Sequence, residues 1–277
     1  MQLTFLGTGA SEGYPAPFCH CPRCEEARRR GGRSIRLRAS LLVNQDLLID
    51  YNDIVAASMF YGVDTAAIET LLITHSHADH YQFDQFFIRA HPFAITPVPM
   101  ARLYAPHDAI AMLKARPERP LEQVRLDAHV VAPGDRWQSG RYTIRAFHAT
   151  HGTADPLLYA LDDGERALLY STDTGLYSAE TWAAIGEGGS PTGRGYDAVV
   201  MDETMGTVPT NGDSQHLGLD AVIAYRRQFE REGLLRPGAR FIAHHFSHGA
   251  NPHHEALEEI LKPHGIEVAY DGWRLEL

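Results

Sequence analysis

The chain has 277 residues, of which 16 are His and only 3 are Cys. Its 44% hydrophobic and 22% charged residues supply enough apolar material for a core, which excludes disordered, collagen-like and coiled-coil chains. The formal net charge of -10 repels polyanions, so nucleic acid is an unlikely partner, whereas a small anionic ligand stays compatible with the composition.

The Cys residues also indicate the compartment. All three crowd into six residues and cannot form a disulfide framework, so we expect a reducing environment. The first seven residues resemble a strand rather than a signal peptide, and no window approaches the roughly 18 to 20 apolar residues that cross a bilayer. The sequence therefore predicts a cytoplasmic protein with no membrane partner.

Short apolar, β-rich segments recur along the whole chain and predict about a dozen strands. In chain order they are residues 3–6, 40–43, 47–49, 71–73, 103–105, 130–132, 142–147, 157–161, 167–170, 198–201, 241–243, 268–270 and 273–275. Helical patterns lie between them at residues 21–30, 54–61, 81–91, 108–115, 179–185, 217–232 and 252–261, the last with Asn251 as a cap.

These helices are too few to cross over after every strand. The pattern therefore predicts an α/β (α+β) fold in which two mixed β-sheets pack face to face and are flanked by helices. We expect one domain over residues 1–277, with the Gly-rich stretch 186–195 as a loop inside it. The Gly-rich stretch 7–13 misses the nucleotide-binding spacings and predicts a turn that lets the backbone pass close to the functional site.

The segment His75-Ser-His77-Ala-Asp79-His80 follows an apolar strand. In an extended segment His75 and His77 point to the same side, while Asp79 and His80 point elsewhere as the chain turns. Two ligand pairs that diverge in this way suit two neighbouring cations better than one. This arrangement is typical of dinuclear hydrolytic centres, in which metal ions lower the pKa of water and stabilise charge on a phosphoryl or carbonyl oxygen.

This motif resembles that of the metallo-β-lactamase superfamily, which implies an αββα sandwich, a metal-activated hydroxide, and three further metal ligands at strand ends. His151 matches the next ligand, and it fits better than His148 because Gly152 follows it. Asp173 matches the bridging carboxylate. His245 matches the last ligand, with the adjacent His244 as the competing residue. Zinc and manganese both suit these ligands.

The cluster Cys19-His20-Cys21-Pro-Arg-Cys24 supplies three thiolates, one ligand fewer than a closed zinc site needs. Within the superfamily, the chain is most similar to the phosphoribosyl cyclic phosphodiesterases linked to the carbon–phosphorus lyase pathway. That resemblance implies a structural zinc with His248 as the fourth ligand, and His20 is the alternative. The motifs that carry the resemblance are residues 5–10, 19–24, 202–204, 215–217, 245–248 and 269–272.

Phosphodiester hydrolysis also needs a general acid for the leaving alkoxide. His216 resembles the family histidine that is placed near the substrate phosphate, and His254 is the runner-up. Asp79 is a second catalytic candidate because it can accept a proton from the attacking water. Arg36 or Arg38 is the candidate contact for a substrate phosphate, through bidentate hydrogen bonds.

The sequence therefore predicts a metal-dependent phosphodiesterase acting on a small cyclic phosphodiester, of the phosphoribosyl 1,2-cyclic phosphate type that the resemblance implies. The alternatives are a cyclic-nucleotide phosphodiesterase, a tRNA 3′-end nuclease, a thioester or lactone hydrolase, and a non-hydrolytic cofactor-biosynthesis protein of the same fold. The sequence leaves a homodimer open.

Overall fold

The computed structural model describes residues 1–116, 120–187 and 190–277. Within these ranges the strands form two seven-stranded mixed sheets, which confirms the predicted sandwich. None of the helices in the described ranges is long and apolar enough to cross a membrane. Gly188 and Gly189 of the predicted loop 186–195 lie outside the described residues.

The first sheet has the strand order β14-β1-β2-β3-β4-β5-β6. Its strands are β1 (Gln2–Gly7), β2 (Ser40–Val43), β3 (Leu47–Ile49), β4 (Thr70–Leu72), β5 (Ala101–Ala105), β6 (Leu126–Val130) and β14 (Arg274–Glu276). Strands β3 to β6 pair in parallel, whereas β1 and β2 pair antiparallel with their neighbours.

The second sheet has the order β13-β12-β11-β10-β9-β8-β7. Its strands are β7 (Arg136–Ser139), β8 (Tyr142–His148), β9 (Leu157–Asp162), β10 (Ala167–Ser171), β11 (Tyr196–Asp202), β12 (Leu235–His244) and β13 (Glu267–Val268). Strands β10 to β13 pair in parallel, so their carboxyl ends lie along one edge of the sheet.

Six α-helices in the described ranges cover the outer faces. They are α1 (Pro22–Arg30), α2 (Ile54–Tyr61), α3 (His107–Lys114), α4 (Ala179–Gly186), α5 (Leu219–Arg231) and α6 (His254–Leu261), with short 3₁₀ turns at Gly32–Ser34, Thr65–Ala67, Phe83–Arg89 and Lys262–His264. Successive side chains of β2 point to opposite faces of the first sheet and so contribute to two apolar clusters. Leu41 and Val43 face the core between the sheets, whereas Leu42 faces the cluster under α2 and α3.

Several predicted elements need correction. The predicted helix 81–91 is only a 3₁₀ turn at Phe83–Arg89, because Tyr81 pairs with Tyr51 in an isolated bridge and is held extended. Strand β6 spans Leu126–Val130 and so overlaps the predicted strand 130–132 only at Val130. Strand β7 was missed because only Trp137 interrupts its polar sequence, and His253, not Asn251, caps α6 through its ring.

Candidate active site

Residues that follow strand ends of both sheets meet at one edge of the sandwich. His75 follows β4 in the first sheet, whereas Asp173 and His245 follow β10 and β12 in the second. The two edges are tied together by Tyr159, whose hydroxyl donates to the Ile73 carbonyl at 2.7 Å. The meeting of the two sheet edges thus brings distant residues into one site, as His80 and His245 show with a sequence separation of 165.

The first group of potential ligands contains His75, His77, His151 and Asp173. His77 Nδ1 lies 3.0 Å from His75 Nε2 and 3.1 Å from His151 Nε2. Asp173 Oδ2 lies 3.5 Å from Nε2 of both His75 and His151. Four electron-rich atoms therefore surround one small space.

The second group contains Asp79, His80, Asp173 and His245. His80 Nε2 lies 3.3 Å from His245 Nε2, 3.3 Å from Asp79 Oδ2 and 3.2 Å from Asp173 Oδ2. His245 Nε2 lies 2.7 Å from Asp173 Oδ1. Asp173 therefore belongs to both groups, as a bridging carboxylate would.

The tautomers of these imidazoles follow from their outer partners. Four rings have an oxygen acceptor on Nδ1, which leaves the lone pair on Nε2 facing the shared space. The pairs are His75 with Thr74 Oγ1 at 3.0 Å, His80 with Asp50 Oδ2 at 2.7 Å, His245 with Thr204 Oγ1 at 2.8 Å and His151 with Gln215 O at 3.3 Å.

Lone pairs that face one another at about 3 Å cannot hydrogen-bond, so they need a cation between them. Asp173 Oδ1 supports the presence of a cation, because it is buried and has no hydrogen-bond partner among the described residues although His245 Nε2 is close. Asp173 and His245 also have positive φ values of 57° and 66°, which are uncommon for non-glycine residues and cost backbone strain that the surrounding structure must offset. The residues present fit two divalent cations.

Asp50 supports both groups and was missed by the sequence analysis. Its carboxylate accepts from His80 Nδ1 and, at 2.9 Å, from Thr74 Oγ1, which in turn holds His75. Burial raises the pKa of Asp50, and the neighbouring His80 opposes that shift. An acidic residue directly after a fully apolar strand, here Leu47–Ile49, was the signal that could have revealed it.

The competing histidines, His244 and His148, belong to neither of these two ligand groups. His244 is buried with both ring nitrogens engaged, by Thr172 Oγ1 at 3.2 Å and by the Gly7 carbonyl at 3.1 Å. Burial, followed by the nearby His245, lowers the pKa of His244 to about 3. His148 is exposed and lines a different cavity.

The Cys cluster forms a separate site. Cys19, Cys21, Cys24 and His248 bring their ligand atoms within 4.8 Å of one another. His248 Nδ1 lies 3.3 Å from Cys24 Sγ and 3.6 Å from Cys21 Sγ. His20 instead points to solvent, where it contacts Glu25.

The pKa values of two thiols in the Cys cluster are shifted in opposite directions. Burial raises the pKa of Cys24 to about 11, whereas the Cys24 backbone N–H, followed by His248, lowers the pKa of Cys21 to about 6. Three sulfurs and one imidazole are the donor set of a closed zinc site. The cluster fits structural zinc rather than a catalytic ion.

Both ligand groups open into one cavity of about 510 Å³, whose lining also includes Arg38, Gln215 and His216. A cavity of about 540 Å³ against α6 holds none of these residues. The candidate chemistry therefore belongs to the first of these cavities.

His216 faces this cavity from the loop before α5. Its Nδ1 lies 2.9 Å from the buried Asp202 Oδ2, and its ring stacks on that of His245. Burial lowers the pKa of His216, but the Asp202 carboxylate outweighs burial and raises it to about 9. His254, the runner-up, is buried beside Arg36 and does not line the cavity.

The two candidate arginines, Arg36 and Arg38, lie in different environments. The buried Arg36 donates to Thr8 Oγ1 at 2.7 Å and to the Ala269 carbonyl at 2.6 Å, so it cannot reach a ligand. Arg38 lines the cavity and is held by Asp53, which accepts from its Nε at 2.9 Å. Asp53 precedes α2 without making a capping bond, because its carboxylate is used on Arg38.

Three glycines let backbone segments approach closely around the site. A Cβ on Gly7 would lie 1.9 Å from the Arg38 carbonyl oxygen, which agrees with the predicted close turn at residues 7–13. A Cβ on Gly175 would lie 1.9 Å from the Ser214 carbonyl oxygen, and one on Gly152 would lie 2.6 Å from Gln215 Oε1. The loop that carries His216 thus rests directly on the glycines that follow two of the ligands.

Residues 53–234 match the model of the beta-lactamase superfamily domain. The chain belongs to the beta-lactamase superfamily. Its two-sheet architecture is the metallo-β-lactamase fold, the fold of the metal-dependent hydrolases in this superfamily.

Solved structures extend the likeness of fold to the whole chain. A diphosphatase of the PhnP family is 24% identical with a TM-score of 0.76, over 100% of this chain and 97% of that one. Zinc-bound PqqB from Methylobacterium extorquens is 18% identical with a TM-score of 0.75, over 100% of both chains.

An octanoyltransferase from Porphyromonas gingivalis strain W83 is similar over a shorter stretch. It is 36% identical over 85 residues, which are 29% of this chain and 16% of that protein. The match therefore spans only a small part of the relative's length.

Proposed function

We propose that this protein is a metal-dependent phosphodiesterase that hydrolyses a small cyclic phosphodiester. One observation carries the proposal: two groups of converging lone pairs share Asp173 and open into the same cavity as the His216–Asp202 pair. A dinuclear centre beside a protonated histidine suits displacement at phosphorus with an alkoxide leaving group.

Two divalent ions, zinc or manganese, would be held in the first ligand group and in the second, with Asp173 contributing to both. When bound, they would act as Lewis acids on a phosphoryl oxygen and lower the pKa of a water molecule. The Cys19, Cys21, Cys24 and His248 site would hold one structural zinc.

His216 would deliver the proton to the leaving alkoxide. Asp202 accepts the hydrogen on Nδ1, so Nε2 is the atom that exchanges a proton in the cavity. Asp202 is in turn fixed by the Leu217 and Thr204 backbone N–H groups, at 3.0 and 3.1 Å, which keeps the ring orientation constant. Asp79 lies in the same cavity and would accept the proton of the attacking water.

Arg38 would bind an anionic group of the substrate away from the reacting phosphorus. The guanidinium is oriented by Asp53 at the cavity wall through Nε and Nη2, and its Nη1 group, which Asp53 does not use, is suited to contact with a phosphate. A cyclic phosphodiester that carries a second phosphate, such as phosphoribosyl 1,2-cyclic phosphate, would use both this contact and the metal centre. The resemblance to the cyclic phosphodiesterases supports this substrate type.

A panel of substrates tests the proposal. The protein is loaded with zinc or with manganese, and turnover is measured for cyclic and linear phosphodiesters, a thioester and a lactone. We expect diester hydrolysis with a preference for cyclic diesters, together with about three metal ions per chain. Absence of diester turnover under every loading, or turnover of the thioester or lactone alone, contradicts the proposal.

A further inference from the structure

A carboxylate that belongs to neither ligand group stands in the wall of the candidate active-site cavity. Glu12 lies in the turn of residues 7–13 and lines the cavity together with His77, His151 and His216. A negative charge is unexpected in a cavity built to hold an anion, because it repels the phosphate of the substrate. Its position therefore calls for a separate role.

Glu12 is held in place from the segment 245–248. Ser247 Oγ donates to Glu12 Oε1 at 2.6 Å, and Ser247 Oγ itself accepts from the Gly249 N–H at 3.1 Å. The turn is tied to the same segment by the backbone, since Ala10 N donates to the Phe246 carbonyl at 3.0 Å. The carboxylate is thus fixed rather than free to swing away from an incoming anion.

Glu12 also touches the Cys cluster. His248 turns Nδ1 toward Cys24 and Cys21, so its Nε2 is the protonated nitrogen, and this atom lies 3.5 Å from Glu12 Oε1. A carboxylate on the outer nitrogen of a metal-binding histidine orients the ring and raises its basicity. A zinc ion in this cluster would therefore fix His248, and through it the position of Glu12 in the cavity wall.

The second carboxylate oxygen of Glu12, Oε2, can accept a hydrogen bond from a ligand. Both contacts use Oε1, and among the described residues Oε2 has no hydrogen-bond partner, while the side chain stays 32% exposed. An ionised carboxylate only accepts hydrogen bonds, so its partner must be a donor. Arg38 and metal ions held in the two ligand groups would attract the anionic parts of a ligand. The neutral part of the ligand, with its hydroxyl donors, is then left to contact Glu12.

We propose that Glu12 is a specificity-determining residue that binds hydroxyl groups of the substrate and excludes a further anion from its wall. The inference rests on the proposed phosphodiesterase function, because it takes the metal groups as the site of the phosphate. It deepens that function by naming the residue that recognises the hydroxyl groups of the substrate.

Ligand binding tests this without requiring turnover. The full chain, loaded with zinc, is titrated in a calorimeter with racemic glycerol 1-phosphate and with propyl phosphate, which lacks the two hydroxyl groups. We expect the parent to prefer glycerol 1-phosphate, and Glu12→Gln to lose about tenfold of its affinity for that ligand because a charged acceptor is removed. Propyl phosphate should bind Glu12→Gln as tightly as the parent or more tightly.

Glu258→Gln is the matched control, since Glu258 also contacts a histidine ring, His254 Nε2 at 3.2 Å, but lies outside the cavity. It should leave both affinities unchanged. Zinc content is measured for each variant, and Glu12→Gln should keep the structural zinc because all four ligands remain. A parent that binds both esters equally, or a Glu12→Gln variant that loses both equally, overturns the proposal.

The proposed function fails differently. A parent that prefers glycerol 1-phosphate through Glu12 but hydrolyses no diester contradicts the phosphodiesterase and supports the role of Glu12. A parent that hydrolyses diesters but shows no hydroxyl preference contradicts the role of Glu12 alone. Failure of the zinc-loaded parent to bind either ester contradicts the role of Glu12, whereas diester turnover alone decides the phosphodiesterase.

Discussion

The two candidate metal sites are built in opposite ways. The ligands of the cavity site come from four separate stretches of chain, and His75, His80, Asp173 and His245 are at most 2% exposed. Three ligands of the Cys cluster come from one six-residue segment that ends inside α1, and only Cys24 is fully buried. Oxygen acceptors orient four imidazoles of the cavity site, whereas the Cys cluster has few such supports.

The two constructions indicate what each metal would contribute. The ligands of the cavity site are oriented by oxygen acceptors and face an open cavity, so its ions would serve chemistry. The Cys cluster joins the start of α1 and the loop before it to the segment after β12, so its zinc would serve as a crosslink and add to folding stability. Substitutions can separate these two roles.

The largest effect should come from His216→Ala, which removes the proton donor of the cavity without removing a ligand. We expect kcat for a cyclic diester to fall by about 10² to 10⁴-fold, with two catalytic metal ions still bound. Rate measurements and metal analysis on the same sample check this. His254→Ala is the control, and parental rates in His216→Ala would remove this residue as the acid.

Cys24→Ala should act on the other site and spare the chemistry. The zinc crosslink is lost, so the free energy of unfolding should fall by about 4 kcal/mol at a zinc concentration 1,000 times the dissociation constant. The two cavity ions should still load. Denaturant titration with and without zinc measures the loss, and unchanged zinc content would contradict the structural assignment.

Asp50→Asn should weaken both cavity ions at once, because Asp50 supports His80 directly and His75 through Thr74. Metal affinity should fall by about 10 to 100-fold, with the Cys-cluster zinc unaffected. Competition with a chelator measures the three sites separately. Asp197→Asn removes a buried carboxylate that pairs with Arg166 and Arg236 away from the cavity, and it should leave metal affinity unchanged.

The buried His254 at the start of α6 should make stability depend on acid. Burial, followed by Arg36, lowers the pKa of His254 to about 4, below the ordinary value of 6.5. The unfolded chain therefore takes up a proton as the pH falls from 6.5 toward 4, and stability is lost over that window. Between pH 7 and pH 5 the parent should lose about 2 kcal/mol more than His254→Asn. Parallel stability curves for metal-free parent and variant would disprove this.

The smallest effect concerns the anion contact. Arg38→Met should raise KM for a diester that bears a second phosphate by about tenfold and leave kcat close to the parental value. A diester without the second phosphate is the control substrate and should show no change. An equal rise in KM for both substrates would mean that Arg38 shapes the cavity rather than binds the anion.

Local patterns in the sequence predicted much of this arrangement. The period-2 apolar runs placed most strands, and the residues from His75 to His80 indicated two ions because strand geometry fixes their directions. Asp50 and Glu12 escaped prediction because their partners lie far along the chain: Thr74 is 24 residues from Asp50 and Ser247 is 235 from Glu12. Arg36 and Arg38 are equivalent in sequence, and only tertiary packing buries one and leaves the other in the cavity.

The close approach of the His216 loop to Gly152 and Gly175 has a consequence for sequence variation. Neither glycine has a side-chain atom to offer a ligand, yet any larger residue at Gly175 would collide with the Ser214 backbone and lift His216 away from the cavity. In a saturation library scored for activity, position 175 should therefore tolerate as few replacements as the metal ligands. Diversity for altered substrate range is better introduced at the cavity wall than at these two supports.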